Sequence, residues 1–225
     1  MRQWLIILLV FLASCPVFAQ RQLIKRIDKV TKSIVTVITY NDTDGIDGLG
    51  TGFFVTKEGN IQMSAHIIQG ASYAVAVTSN GERFPIVYVV KWSDTLDLCE
   101  VTIFNFGKRF DYLKLDRHIA SAGQKVFTVG TPGGYRNVDN AGIICKNEKL
   151  IYFHDVYITS IPVIPGMSGS PLINYNNGKV IGIIDFWRLE GDNTLNFAIS
   201  TNNYLLMKPV FLKEFPKDHS ALNRL

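Results

Sequence analysis

Short runs rich in Val, Ile, Phe, Tyr and Thr recur along the chain, and this rhythm constrains the fold more than any other feature. The runs are Ser33–Tyr40, Thr51–Val55, Ile61–Ser64, Ala74–Thr78, Phe84–Lys91, Leu98–Phe104 and Lys125–Val129, then Gly142–Cys145, Val156–Ile161, Pro171–Ile173, Val180–Asp185 and Leu195–Ile199. Turn signals separate them, among them Lys57-Glu58-Gly59-Asn60, Ser79-Asn80-Gly81-Glu82 and Tyr175-Asn176-Asn177-Gly178. About a dozen short strands at roughly ten-residue spacing predict an all-β barrel or sandwich. Leu23, Ile24, Ile27 and Val30 stand at helical spacing within Gln22–Lys32, so a short amphipathic helix is expected to open the domain. A second is expected near Asn202–Leu212, and the irregular stretch Gly107–Gln124 is read as the join between two halves.

Composition removes competing classes. With 47% hydrophobic and 19% charged residues the chain can bury a core and is unlike a disordered one. A net charge of +4 over 225 residues is a weak footprint for a nucleic-acid binder, and its basic residues are scattered. Residues 1–19 read as a signal peptide: Arg2, an apolar stretch from Trp4 to Ala13, and the small-residue site Val17-Phe18-Ala19. Leu12-Ala13-Ser14-Cys15 is also compatible with a lipoprotein signal (residues 1–14) in which Cys15 is lipidated, the only membrane link expected. Both readings place residues 20–225 outside the cytoplasm as one domain. Disulfides form in that compartment, yet Cys99 alternates with Val101 and Ile103 and reads as a buried free thiol rather than a partner for Cys145.

The sharpest local signal is Ile164-Pro165-Gly166-Met167-Ser168-Gly169-Ser170-Pro171. Gly166 and Gly169 open backbone conformations closed to other residues, so this turn can project the Ser168 hydroxyl. The N–H groups of Gly166 and Ser168 are the candidate oxyanion hole. A serine nucleophile needs a base, and His66 at the end of the strand Ile61–Ser64 suits that role better than His118, His154 or His219. Asp97 is the candidate orienter of the imidazole, read as the first residue of the inward row Asp97, Cys99, Val101, Ile103; Asp94 is the exposed-turn alternative. The order His66, Asp97, Ser168 differs from the orders of subtilisin and the α/β-hydrolases. No H-E-x-x-H or C-x-x-C occurs, so metal catalysis is not expected, and Gly48-x-Gly50-x-Gly52 lacks the Lys-Ser/Thr of a phosphate loop.

These motifs together resemble a chymotrypsin-fold serine protease, closest to the bacterial HtrA/Deg branch. The resemblance rests on Gly48–Val55, Ser64–Ile68, Asp97–Val101, Val129–Gly134, Pro165–Pro171, Val180–Ile183 and Asn196–Ile199, in family order from about residue 30 to 210. It implies two six-stranded antiparallel β-barrels, at about 33–105 and 122–200, with His66, Asp97 and Ser168 in the cleft between them. It further implies an exported, cofactor-free serine endopeptidase acting on polypeptides through an acyl-enzyme, with a role in protein quality control and a homo-oligomeric assembly. The alternative it leaves open is a protease-fold binding or chaperone-like module with the triad held inactive. The loops Tyr135–Ala141 and Arg188–Thr194 are, by the same resemblance, candidates for disorder at rest. Ser170 departs from the family's usual Gly, and Glu100 stands at a usually apolar position, pointing away from the core face by alternation. No PDZ segment, and so no PDZ-controlled regulation, is expected after the last predicted helix. Pro162 falls where trypsin-like enzymes carry a pocket-floor carboxylate, and Phe186 and Trp187 would edge the pocket, which predicts apolar residues before the scissile bond.

Overall fold

The computed structural model describes residues 26–134, 138–150 and 154–214. The signal-peptide and Cys15 expectations, and His219, lie outside the described residues. Residues 26–31 are helical, and Ile27 and Val30 of that helix pack into the core below.

The first half folds into strands β1 (Ile34–Tyr40), β2 (Ile46–Phe54), β3 (Asn60–Ser64), β4 (Tyr73–Thr78), β5 (Arg83–Ser93) and β6 (Leu98–Ile103). β1 pairs with β2 and β4, β3 joins β2 to β6, and β5 pairs with both β4 and β6, which closes the ring. The second half supplies β7 (Lys125–Gly130), β8 (Val138–Leu150), β9 (His154–Thr159), β10 (Pro171–Asn174), β11 (Val180–Glu190) and β12 (Asn193–Ser200), a closed barrel in the order β10-β11-β12-β9-β8-β7. The protein is therefore all-β, two six-stranded antiparallel barrels of the chymotrypsin fold. Closure removes most free sheet edges.

Period-two alternation places most of the buried apolar residues in three large cores, with smaller clusters at Tyr73, Val75 and Val77 and at Val156, Ile158 and Phe197. Val35, Val37, Cys99, Val101 and Ile103 fill the first barrel. Val126, Ile144, Tyr157, Leu172, Ile184 and Ala198 fill the second. The opposite faces of the same strands, including Ile34, Phe53, Leu98, Phe127, Val129, Ile183 and Ile199, form a third core that glues the barrels together. Cys99 is buried and Cys145 exposed, and both are free thiols, as expected.

Several local expectations need correction. The final helix is a 3₁₀ segment, Thr201–Leu206, followed by strand β13 (Lys208–Glu214) on β5. Pro209 cannot continue a helix but is tolerated on an edge strand, and Val210, Phe211 and Leu212 favour extended backbone. The segment Arg188–Thr194 is a paired hairpin, with Arg188 opposite Leu195 and Glu190 opposite Asn193. Val138 to Ala141 belong to β8, paired with β7. Glu100 does point away from the barrel interior but is only 4% exposed. It is buried against the returning chain end, where it accepts hydrogen bonds from Asn60 Nδ2 at 2.6 Å and Tyr204 Oη at 2.5 Å, with Lys91 Nζ at 3.4 Å.

Candidate active site

The site is assembled where the two barrels meet. His66 sits on the single 3₁₀ turn Ala65–Ile67 that ends β3, so its ring projects at the barrel rim with its side chain 47% exposed. Its Nδ1 is hydrogen-bonded to Asp97 Oδ2, and its backbone N–H donates to Asp97 Oδ1 at 2.8 Å. One carboxylate thus fixes both the ring and the turn that bears it. The hydrogen bond to Asp97 raises the His66 pKa above its ordinary value, against the lowering effect of burial.

Asp97 reaches this position by a route that strand alternation did not predict. It is not on β6 but in the turn before it, with φ at 49°. Asp is among the few non-glycine residues that enter the left-handed region readily. The turn is anchored because Asp97 O accepts the Ala65 N–H at 2.9 Å. Asp94 accepts the Trp92 indole N–H at 2.8 Å and takes no part in the His66 contact. His118 pairs with Asp116 at 2.7 Å, and the His154 side chain lies outside the described residues.

The Ser168 turn is locked from several sides. Gly166 has φ at 90°, and a Cβ there would meet Gly133 N at 2.8 Å. Gly169 has φ at 86°, and a Cβ there would lie 1.9 Å from Thr51 O, so β2 passes too close for any side chain. Thr51 N donates to Ser168 O at 3.0 Å and Thr51 Oγ1 to Gly166 O at 2.7 Å. Among the described residues, neither the Gly166 nor the Ser168 amide donates a hydrogen bond within the protein. The Ser168 hydroxyl donates to the Asp185 carbonyl oxygen at 2.9 Å. Of the predicted specificity residues, Pro162 is exposed, Trp187 is 49% exposed, and the Phe186 ring stacks on Phe197 at 4.7 Å.

Asp185 is the residue that sequence reasoning missed. It ends the buried run Val180–Ile184 and is itself only 6% exposed. Its Oδ1 accepts the Ser64 hydroxyl at 2.8 Å and lies 3.7 Å from His66 Nδ1. A signal was available: an ionisable residue in register with a buried strand is rare without a partner. The donor atoms of His66, Asp97 and Asp185 lie within 4.8 Å of one another and are the described residues best placed to hold a cation. A cation there would compete with the His66–Asp97 hydrogen bond for the same atoms.

The sequence profile of the trypsin-like peptidase domain matches residues 50–183. The chain belongs to the trypsin-like peptidase family. Within it, this peptidase domain is similar to a probable periplasmic serine endoprotease DegP-like of Halomonas elongata, 31% identical over 67% of this chain and 32% of that protein's length. It is also similar to the magnetosome formation protease MamE of Magnetospirillum gryphiswaldense, 28% identical over 63% of this chain and 19% of that one. The chain therefore spans about a third or less of the length of these curated relatives. Among solved structures, the serine endoprotease from Yersinia pestis matches with a TM-score of 0.69 at 22% identity, over 82% of this chain and 64% of that one. An inactive form of Rv3671c from M. tuberculosis H37Rv matches with a TM-score of 0.67 at 21% identity, over 80% and 86%. These likenesses extend the family's fold beyond the matched profile.

Proposed function

We propose that this peptidase domain is an exported serine endopeptidase that hydrolyses polypeptides through an acyl-enzyme. The observation that carries the reading is the double hold of Asp97 on His66, through the ring Nδ1 and the backbone N–H. Asp97 keeps the imidazole in the tautomer whose Nε2 is free to accept a proton. Ser168 Oγ, once rotated off the Asp185 carbonyl, loses its proton to Nε2 as it bonds to the scissile carbonyl carbon. The oxyanion that forms takes the unpaired N–H groups of Gly166 and Ser168. His66 then returns the proton to the leaving amine as the C–N bond breaks, and water resolves the ester by the same route. No metal or cofactor enters this scheme.

The periplasmic names of the relatives and the Arg2–Ala19 leader support an extracytoplasmic site of action, and the role proposed for the enzyme there is protein quality control. Pro162 brings no charge to the proposed pocket floor, which supports a preference for apolar residues before the scissile bond, bounded by Phe186 and Trp187. A faster rate on Arg-linked than on Leu- or Val-linked peptides would defeat that preference. Self-association is expected, and light scattering on the purified chain measures it. The chemistry itself is tested by a fluorophosphonate probe, which should label the wild type and not Ser168→Ala. Asp97→Asn should retain the fold and lose about 10⁴ in turnover.

The Ser168 hydroxyl bonded to the Asp185 carbonyl favours a second reading, a protease-fold binding or chaperone-like module. A folded sample that resists the probe yet suppresses aggregation of a denatured client would decide for it.

A further inference from the structure

We propose that Asp185 is a positioning residue of this site: a carboxylic acid, not a carboxylate, that donates its proton to Asp97 and so holds the orienter of His66 in place. The inference rests on the peptidase reading for its catalytic consequence, while the protonation state follows from the burial and the contacts of the two carboxyl groups.

Two carboxyl groups meet here, and their surroundings differ. The Asp97 side chain is 31% exposed and already accepts two N–H donors from His66, the arrangement of an ionised carboxylate. The Asp185 side chain is 5% exposed. Its Oδ1 accepts a hydroxyl hydrogen from Ser64. A carboxylate oxygen of Asp97 lies within 4.8 Å of one of Asp185, and the two side chains are hydrogen-bonded. Two oxygens of adjacent acids can share a hydrogen bond only if one acid keeps its proton. Burial assigns the proton to Asp185, because ionisation costs most where water is excluded. The titratable groups facing Asp185 are His66 from the 3₁₀ turn and Asp97 from the turn before β6; Ser64 on β3 offers a hydroxyl only. Cys99, next along β6, carries a thiol that burial keeps neutral. Burial first, and the Asp97 charge second, push the Asp185 carboxyl up to about 8, in agreement with this assignment.

The arrangement runs Ser64 Oγ–H to Asp185, Asp185 O–H to Asp97, and Asp97 to His66 Nδ1–H. The backbone carbonyl of the same Asp185 holds the Ser168 hydroxyl. A single residue of β11 therefore touches the nucleophile through its main chain and the acid through its side chain. Loss of the shared proton would set two like charges against each other and push Asp97 off the imidazole.

Histidine-ring and aspartate-carboxyl NMR titrations of the full chain, with the His66 signals assigned by His66→Gln, test the protonation state without need of turnover. The Asp185 carboxyl should titrate above pH 7, and Asp185→Asn should leave the His66 midpoint within about 0.3 unit of wild type, since a neutral group replaces a neutral group. A carboxyl that titrates near 4, or a His66 midpoint lowered by about one unit or more in Asp185→Asn, would mean an ionised neighbour was removed and would overturn the proposal. For the positioning role, the fluorophosphonate labelling rate at pH 6.5 should fall at least tenfold in Asp185→Ala and stay within about threefold in Asp185→Asn, whose amide can donate to Asp97 and accept from Ser64. Above pH 8 the wild-type rate should decline while that of Asp185→Asn holds; parallel profiles for the two would overturn the role. Should Asp185→Ala not fold, the Asp185→Asn titration and profile still decide. Absence of wild-type labelling at every pH, with the predicted titrations intact, would count against the peptidase reading and leave the shared proton standing.

Discussion

The Thr51 hydroxyl donates to the Gly166 carbonyl oxygen at 2.7 Å, which ties β2 of the first barrel to the turn of the second barrel that carries Ser168. Thr51 Oγ1 in turn accepts the Thr131 N–H at 3.0 Å, so one side chain bridges two segments of the second barrel. This buried contact explains how a site divided between two separately closed barrels keeps one geometry. Thr51→Val conserves shape but leaves the Thr131 donor and the Gly166 acceptor unmatched. It should cost about 1–3 kcal/mol in denaturant unfolding and slow fluorophosphonate labelling of Ser168. Wild-type values for both would show that the turn is held by other contacts.

Ser170 stands where the resemblance leads one to expect glycine, and it is fully buried with no partner for its hydroxyl among the described residues. Its Oγ lies against Gly130, where an added Cβ would approach it to 2.5 Å. Gly130 has made the room, but nothing repays the lost hydration of the hydroxyl. Ser170→Ala should therefore stabilise the fold by about 1 kcal/mol, read as a shift in the urea midpoint at constant slope. Destabilisation of that size would reveal a bound partner for the hydroxyl.

What the sequence made legible follows from locality. Strand existence, the His66 turn and the glycines around Ser168 are encoded within a few residues of themselves, so alternation and turn chemistry recover them. Asp97 is legible by type and neighbourhood, while its hold on His66 depends on a left-handed turn pinned by Ala65, over thirty positions away. Asp185 carries only one local signal, an ionisable group closing a buried strand, and its partners Ser64, His66 and Asp97 all lie on the other barrel. The chain end depends on a distant partner in the same way: Pro209 and the residues after it disfavour a helix, but only the free edge of β5 gives them a strand to pair with.

That edge creates a polar cluster with a measurable role. Tyr204 Oη donates to Glu100, Lys91 Nζ donates to Tyr204 Oη, and the Lys91 ammonium lies 3.8 Å from the Tyr204 ring centroid. Burial and Glu100 together hold the Tyr204 phenol well above its ordinary pKa. Tyr204→Phe removes one of the hydrogen-bond donors to the buried Glu100 carboxylate and should cost about 1–3 kcal/mol. A double-mutant cycle with Glu100→Gln should recover part of that loss, because the amide no longer demands a strong donor. Strict additivity would show that the two residues do not share one network.

The two thiols on the barrels should separate cleanly by reactivity. Cys145 is exposed on β8, whereas burial pushes the Cys99 thiol well up and removes it from contact with reagent. Under native conditions iodoacetamide followed by peptide mapping should modify Cys145 within minutes and leave Cys99 intact. Modification of Cys99 should appear only as denaturant approaches the unfolding midpoint. Early modification of Cys99 would show that the first barrel opens locally.

The shared proton also has a consequence for stability. The Asp185 carboxyl titrates at about 8 in the fold, against a value of about 4 in an unfolded chain. Between those limits the native state holds a proton that the unfolded state has released, so stability must fall as pH rises from about 4 to about 8. His66, also raised in the fold, adds a smaller term of the same sign, full below about 6.5 and lost as pH passes its native midpoint. Asp185→Asn abolishes the first term and keeps the second. Its urea midpoint relative to wild type should therefore rise steadily from pH 5 to pH 8, with most of the pH slope gone. A wild-type curve that is flat over this range, or one that Asp185→Asn merely displaces without changing its slope, would mean that Asp185 is ionised in the native state.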